Sequence, residues 1–337
     1  MQDTAASLHD SASSFPLPPN DGGDVAGNQS GGLNDEARQS LEQIIDNGQL
    51  PALPHSAIAL LQLSQNPNAG PAEFAPPILA DPGLTGQVLR FVNSSFFGFS
   101  REIASVQQAL SLIGTRAVTN FALWNAVFSV IPNPQFGQFD LKSLWQDSLR
   151  RANLSRALAS RIPGCESDDV FVGALLQDMA IPLLMKSMPR EYEQLLDQRE
   201  SGNSRLSDLE KDCFGWTHAD AAGLIAAKWK LPQRFIRLVQ GHTDFEGLMQ
   251  RLAAGDAEVR DTACVALAAL VPSCRDNEWP EMDAFFNGFE ILANGQPLSL
   301  LEICEEVDDQ TSEYAPLLQV PVPSVGLAEI MRMLGLS

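Results

Sequence analysis

The chain is expected to be all-α. Three observations carry that expectation. Apolar residues recur at helical spacing through most of the 337 residues, helix start and stop residues bracket those runs, and no alternating run of Val, Ile and Thr reaches strand length. A hydrophobic content of 45% is enough for a sizeable core and argues against global disorder.

Residues 1–33 have no apolar periodicity and are rich in Ser, Gly, Asn, Pro and Asp, so they are expected to form a disordered tail in which His9 is a solvated bystander. Asn34 is a helix cap for a run through Ile45, with Leu41, Ile44 and Ile45 on one face and Gly48 as the stop. Leu50-Pro51-Ala52-Leu53-Pro54 is a stiff extended lead-in. Ile58, Leu61 and Leu63 mark the next helix, ending near Asn66-Pro67, and Phe74, Ile78 and Leu79 a short one after it. Asp81 caps and Pro82 opens a further helix carrying Leu84, Val88, Leu89, Phe91 and Val92. Phe96 and Phe97 then read as core anchors. Ser105-Val106-Gln107-Gln108 fits a capping box, Gly114 a stop, and Thr115 the cap of a helix with Val118, Phe121 and Trp124.

Leu141 to Ile162 reads as a long amphipathic helix. Ser167 is expected to cap the apolar run Val170–Ala180, with Asp168 and Asp169 at its positive end and Pro182 interrupting the helix beyond it. That run contains one acceptor-rich pair, Gln177-Asp178. Shorter helices are expected at 191–199 and 207–213. Thr217 caps the next, which begins at His218, and Leu231-Pro232 opens another that ends at Gly241-His242. Beyond Glu246 the composition shifts. Helical patterns are expected over 262–271, 283–292, 298–307 and 326–336, and the acidic run Glu305, Glu306, Asp308 and Asp309 reads as a solvated face. The boundaries are therefore a tail over 1–33, a domain over 34–245, and a C-terminal helical region over 246–337 packed on that domain or extending it.

The formal net charge of −20 argues against nucleic-acid binding, which needs a basic footprint, and against anionic lipid surfaces. The five cysteines, Cys165, Cys213, Cys264, Cys274 and Cys304, form no CxxC and read as reduced thiols. With no signal peptide and no run of about 18 apolar residues, a cytoplasmic location is expected. No GxSxG, P-loop, GxGxxG or EF-hand loop is present, and His55, after Pro54, reads as a turn or cap residue.

Several ordered motifs resemble the HDOD domain. The first half of the resemblance is carried by Leu50-Pro-Ala-Leu-Pro54, Asp81-Pro-Gly-Leu-Thr85, Asn93-Ser-Ser-Phe-Phe-Gly98 and Ala109-Leu-Ser-Leu-Ile-Gly114. The second half is carried by Gly173-Ala-Leu-Leu-Gln-Asp178, Phe214-Gly-Trp-Thr-His-Ala-Asp-Ala-Ala-Gly223, Trp229-Lys-Leu-Pro232 and Gly241-His242. The resemblance implies a multi-helix bundle related to the HD and HD-GYP phosphohydrolases. It also implies a bacterial regulatory domain that lacks hydrolase activity and works through protein contacts. Its expected partners are signalling proteins, those of cyclic-dinucleotide or two-component pathways among them.

Catalytic relatives hold divalent metal with histidines and aspartates from several helices, so that the ion polarises phosphoryl oxygen and generates hydroxide. Against that pattern the adjacent His-Asp pair stands here as Gln177-Asp178, and Asp147 stands where a first histidine is expected. His218 and His242 match positions that carry histidine in the family. Asp147, Gln177, Asp178, His218 and His242 are therefore candidates for a vestigial metal site. No catalytic residue and no cofactor are expected, although two carboxylates and two imidazoles suffice for a weak divalent site. Each also has a structural reading. His218 can be a cap or a buried hydrogen-bonding group, His242 a helix-end residue whose cation the dipole favours, and Asp178 the partner of either. The competing function is a metal-dependent phosphohydrolase acting on a nucleotide or phosphodiester.

Overall fold

A computed structural model describes residues 33–66, 68–94, 97–134, 139–201, 204–276 and 278–336. All but the last residue of the expected tail, with His9, and likewise Phe96, lie outside the described residues. Regular structure among the described residues is entirely helical, as the apolar periodicity predicts.

The first half holds α1 (Asp35–Asn47), α2 (His55–Ser64), α3 (Pro71–Leu79), α4 (Pro82–Val92) and α5 (Val106–Val130). Local chemistry sets their starts. Asn34 Oδ1 accepts from Ala37 N at 2.7 Å, and Asp81 Oδ1 accepts from Leu84 N at 3.0 Å. Helices α2, α3 and α4 pack on α5, with the Phe91 and Phe121 rings stacked at 4.2 Å. Gly114 divides α5 into two helical stretches, in line with the stop expected at Gly114 and the restart at Thr115: its φ of +86° is a conformation that glycine adopts without strain.

The second half holds α6 (Leu141–Ala159), α7 (Ser167–Leu176), α8 (Ala180–Ser187), α9 (Pro189–Ser201), α10 (Leu206–Phe214), α11 (His218–Lys228) and α12 (Gln233–Gly241). Two local readings are corrected here. Ser167 is the first residue of α7 and not its cap: Glu166 holds the cap position, with no side-chain bond. Pro182 does not interrupt a helix. It lies in the first turn of α8, where a missing N–H removes no intrahelical bond, and the break comes earlier, at Gln177–Met179. The two halves interlock. Helix α1 packs on α8 and α11, and Trp229 Nε1 donates to Pro51 O at 2.9 Å, joining two of the sequence motifs.

The C-terminal region adds α13 (Phe245–Ala253), a 3₁₀ turn (Ala257–Val259), α14 (Arg260–Ala268), α15 (Met282–Ala293), α16 (Leu300–Leu318) and α17 (Leu327–Met333). Helices α14 and α16 pack directly on α6. As a result α6 is not amphipathic with a wet face: from Trp145 to Ala159 every residue is buried except the half-buried Arg151. Its polar residues are matched from α16. Asn153 Nδ2 donates to Thr311 Oγ1 at 3.0 Å and Arg156 Nη2 to Gln310 Oε1 at 2.8 Å. Arg161, just past the helix, bonds Glu306 Oε2 at 2.7 Å.

Helix α16 is also longer than expected, and its acidic run is not simply a solvated face. Glu306 meets Arg161, Glu305 pairs with Arg332, and the Asp308 carboxylate accepts from Leu327 N and Ala328 N at 2.8 and 2.9 Å, capping α17. The stretch Ser167–Ser187, with mean hydropathy 1.4, is long and apolar enough to cross a membrane, but 78% of that window is buried in the fold. It is the α7–α8 core.

Candidate functional site

Three separate segments converge near the centre of the second half. The turn between α7 and α8 tightens through Met179 N to Leu176 O at 3.0 Å and Ile181 N to Asp178 O at 3.1 Å. That turn takes Asp178 off the end of an apolar helix. His218 opens α11 behind a capping box in which Thr217 N donates to Asp220 Oδ2 at 2.9 Å. His242 follows the last turn of α12. Asp178, His218 and His242 are all buried and meet at one point.

The imidazole Nε2 atoms of His218 and His242 are 3.1 Å apart, and Asp178 Oδ1 lies 3.5 Å from the first and 3.6 Å from the second. Each ring is fixed from behind. His218 Nδ1 faces Glu210 Oε2 at 2.6 Å, and the same oxygen accepts from His218 N at 2.7 Å. His242 Nδ1 lies 2.7 Å from Val239 O, and a carbonyl can only accept, so this nitrogen carries the proton and Nε2 is left as an acceptor. A carboxylate or carbonyl behind each ring is the arrangement that orients metal-binding histidines.

Without a metal the group is neutral overall. Arg151, on α6, donates to Asp178 Oδ2 at 2.9 Å. Burial alone would raise the Asp178 pKa, but the His218 imidazolium facing its Oδ1 and the Arg151 charge hold it well below the usual carboxylate range. Burial likewise opposes the His218 cation, yet Glu210 and then Asp178 push its pKa up to about 10. The His242 pKa is lowered, by burial first and by the His218 cation, against the pull of Asp178. The dipole's preference for a His242 cation is thus overridden. Two cations, Arg151 and His218, face two anions, Asp178 and Glu210.

The other candidates do not join the triangle. Asp147 is committed elsewhere, accepting from Ser273 Oγ at 2.5 Å and Cys274 N at 2.8 Å and so tying α6 to the chain between α14 and α15. Gln177 is fully buried. Its Nε2 donates to Asp178 Oδ2 at 3.2 Å, and its Oε1 has no partner. Two residues of the site escaped sequence reading, Glu210 and Arg151. The signals available were weak: Glu210 stands eight residues before His218, and Arg151 one helical turn after Asp147.

The three-residue set fits one divalent ion. Ligand spacings of 3.1, 3.5 and 3.6 Å are those of donors sharing an ion with bonds near 2.1 Å, roughly. The wider ligand set that the resemblance implies is not assembled, because Gln177 supplies only an amide and Asp147 is used by the loop. A cavity of about 820 Å³ opens above the triangle, lined among others by Arg151, Gln177, Asp178, His218 and His242 and closed on one side by residues of the C-terminal region.

Comparison with known proteins gives consistent results. The HDOD domain family model matches residues 50–245. A protein of unassigned function from Treponema pallidum (strain Nichols) is 22% identical over 195 residues, covering 57% of this chain but only 37% of the relative. The crystal structure of an HDOD domain protein with unknown function from Geobacter sulfurreducens superposes with a TM-score of 0.64 at 20% identity, covering 84% of this chain and 99% of that one. A candidate phosphohydrolase from Shewanella amazonensis SB2B gives 0.57 at 20% identity, over 88% and 94%. A candidate signal transduction protein from Marinobacter aquaeolei VT8 gives 0.61 at 19%, over 84% and 64%. At these identities the likeness is one of fold.

Proposed function

This chain belongs to the HDOD domain family, and we propose on that premise that it is a non-catalytic bacterial signalling module acting through protein contacts. One observation carries the reading. The carboxylate that would hold a catalytic metal is already neutralised by a guanidinium, with Arg151 Nη1 2.9 Å from Asp178 Oδ2. A built-in cation at that position lowers the gain from binding another. The glutamine at 177 and the engagement of Asp147 with its loop add to it by removing two of the expected ligands. The net charge of −20 supports protein rather than nucleic-acid or anionic-membrane partners, and five free thiols fit a reducing cytoplasm. Signalling proteins, including those of cyclic-dinucleotide or two-component pathways, are the proposed partners.

The second reading, a metal-dependent phosphohydrolase, is favoured by the ligand spacing of Asp178, His218 and His242. A bound divalent ion would polarise a phosphoryl oxygen and generate hydroxide there. The chain's own contribution is to orient both rings from Glu210 and Val239 O and to present Asp178 as a carboxylate. The two readings separate on purified protein. The first expects substoichiometric Mn, Fe and Zn by elemental analysis, unchanged in Asp178→Ala, and no hydrolysis of phosphodiesters or cyclic dinucleotides with added metal. Stoichiometric metal lost in Asp178→Ala, together with turnover, would establish the second.

A further inference from the structure

Cys165 and Cys264 lie far apart in the chain and side by side in the fold. Cys165 sits half-buried in the link between α6 and α7, Cys264 fully buried in α14, and both are free thiols. Hydrogen bonds on either side of Cys165 tie that link to the first turn of α14. Arg260 Nη1 donates to Pro163 O at 3.2 Å, and Glu166 N donates to Asp261 Oδ1 at 3.0 Å. Asp261 and Cys264 are three residues apart and share one face of α14, the face turned to the link. On that face the Cys264 thiol meets the Cys165 side chain in a hydrogen-bonding contact. That neighbour first, then burial and the Asp261 charge, push the Cys264 pKa well above the ordinary thiol value. The other three cysteines differ. Cys213 has Asp212 beside it, Cys274 has Asp147 and Cys304 has Asp308, and among the described residues none of the three interacts with a second thiol.

We propose that Cys165 and Cys264 form an oxidisable dithiol, which a hydroperoxide closes into a disulfide that staples the link before α7 to α14. The proposal goes beyond the signalling reading and does not depend on it. Cys165 is the more exposed of the two and meets the oxidant first. Its sulfur, as thiolate, attacks one oxygen of hydrogen peroxide. The O–O bond breaks, a sulfenic acid forms, and the departing hydroxide takes up the thiol proton as water. The Cys264 sulfur then attacks the sulfenic sulfur. The S–S bond forms as the S–O bond breaks, and the second hydroxide leaves with the Cys264 proton as water. Two thiols lose two electrons in all, and one peroxide is reduced to two waters. The staple joins elements on two sides of the Asp178 cavity: α7 leads into Asp178, and residues 269–272, directly after α14, line the cavity wall. It also ties the segment that matches the family model to the C-terminal region.

The test is peptide mapping of the full chain. Reduced protein is treated with a small molar excess of hydrogen peroxide, alkylated with iodoacetamide under denaturing conditions, digested without reduction and read by mass spectrometry. The expected result is one intramolecular link between the peptides carrying Cys165 and Cys264, with Cys213, Cys274 and Cys304 alkylated. The intact protein should lose two hydrogens and regain them with dithiothreitol. The linked protein should melt roughly 5 °C or more above the reduced one, because the cross-link restricts the unfolded chain. Cys165→Ser, at the less buried position, should form no link, leave Cys264 open to alkylation and show no rise in melting temperature on peroxide treatment. Three results would each overturn the proposal: both thiols alkylated after peroxide, Cys165 carried on to sulfinic acid with Cys264 still alkylated, or a linked protein that melts no higher than the reduced one.

Discussion

At the scale of single residues, the site is a problem in burying charge. Asp178, His218 and Glu210 are withdrawn from water, and each is tolerable only because the others are present. The consequence is a pH dependence with a definite sign. His218 has its pKa raised from 6.5 to about 10. A group whose folded value is raised stabilises the fold fully below its unfolded value and loses that contribution as pH rises through the folded one. Asp178 is shifted the other way, so its contribution is kept above the ordinary carboxylate range and lost only in stronger acid. The urea midpoint of metal-free protein is therefore expected to fall between pH 6.5 and about 10, and His218→Gln, less stable at pH 6.5, should lose that slope. A native profile as flat as the variant's would remove the imidazolium from the account. Asp178, His218 and His242 were legible in the sequence because they stand in motifs that resemble those of the HDOD domain. Glu210 and Arg151 were not, because a charged residue in a helix has the same local pattern whether it meets solvent or a buried partner.

At the scale of elements, the site depends on how closely α7 and α12 approach. Gly173 makes that approach possible: a Cβ there would lie 2.5 Å from Leu238 Cδ1 and 2.6 Å from Leu238 Cβ. The two helices carry Asp178 and His242 at their C-terminal ends, so the spacing set at Gly173 is transmitted to the 3.6 Å contact between them. Gly173→Ala is expected to destabilise the fold by about 1–3 kcal/mol through overpacking. Adding Leu238→Ala should recover part of the loss in chemical denaturation. A Gly173→Ala protein as stable as the native one would show that the helices separate freely, and the argument for a set spacing would fail. The helix itself was readable from its apolar run, but the need for glycine at 173 was not, since it comes from a residue 65 positions away.

At the scale of the whole molecule, the family match stops at residue 245, yet the core does not. One continuous buried cluster runs from Ala37 to Met331, and α14 and α16 cover faces of α6 that the matched segment would leave open. Removing residues 246–337 would strip Thr311 from Asn153 and Gln310 from Arg156, and would take the Ser273–Cys274 donors from Asp147. A fragment of residues 34–245 is thus expected to lose cooperative thermal unfolding and to bind a hydrophobic dye, the signs of a collapsed but unpacked state. A sharp transition near that of the full chain would make the C-terminal region an appendage.

The sequence by itself determined the helical class, most helix starts, the relationship to HDOD domains and the three polar residues that meet at the centre. These are local matters, decided by periodicity, by caps such as Asn34, Asp81 and Thr217, and by motifs whose order survives in the chain. Only the tertiary structure decided that Asp147 serves a loop and that Arg151 supplies the positive charge at Asp178. It also decided that His242 is neutral and that α6 is enclosed on every side. Each of these turns on which distant group arrives beside a buried charge, and the free energy of a buried charge is set by those neighbours and not by its own segment.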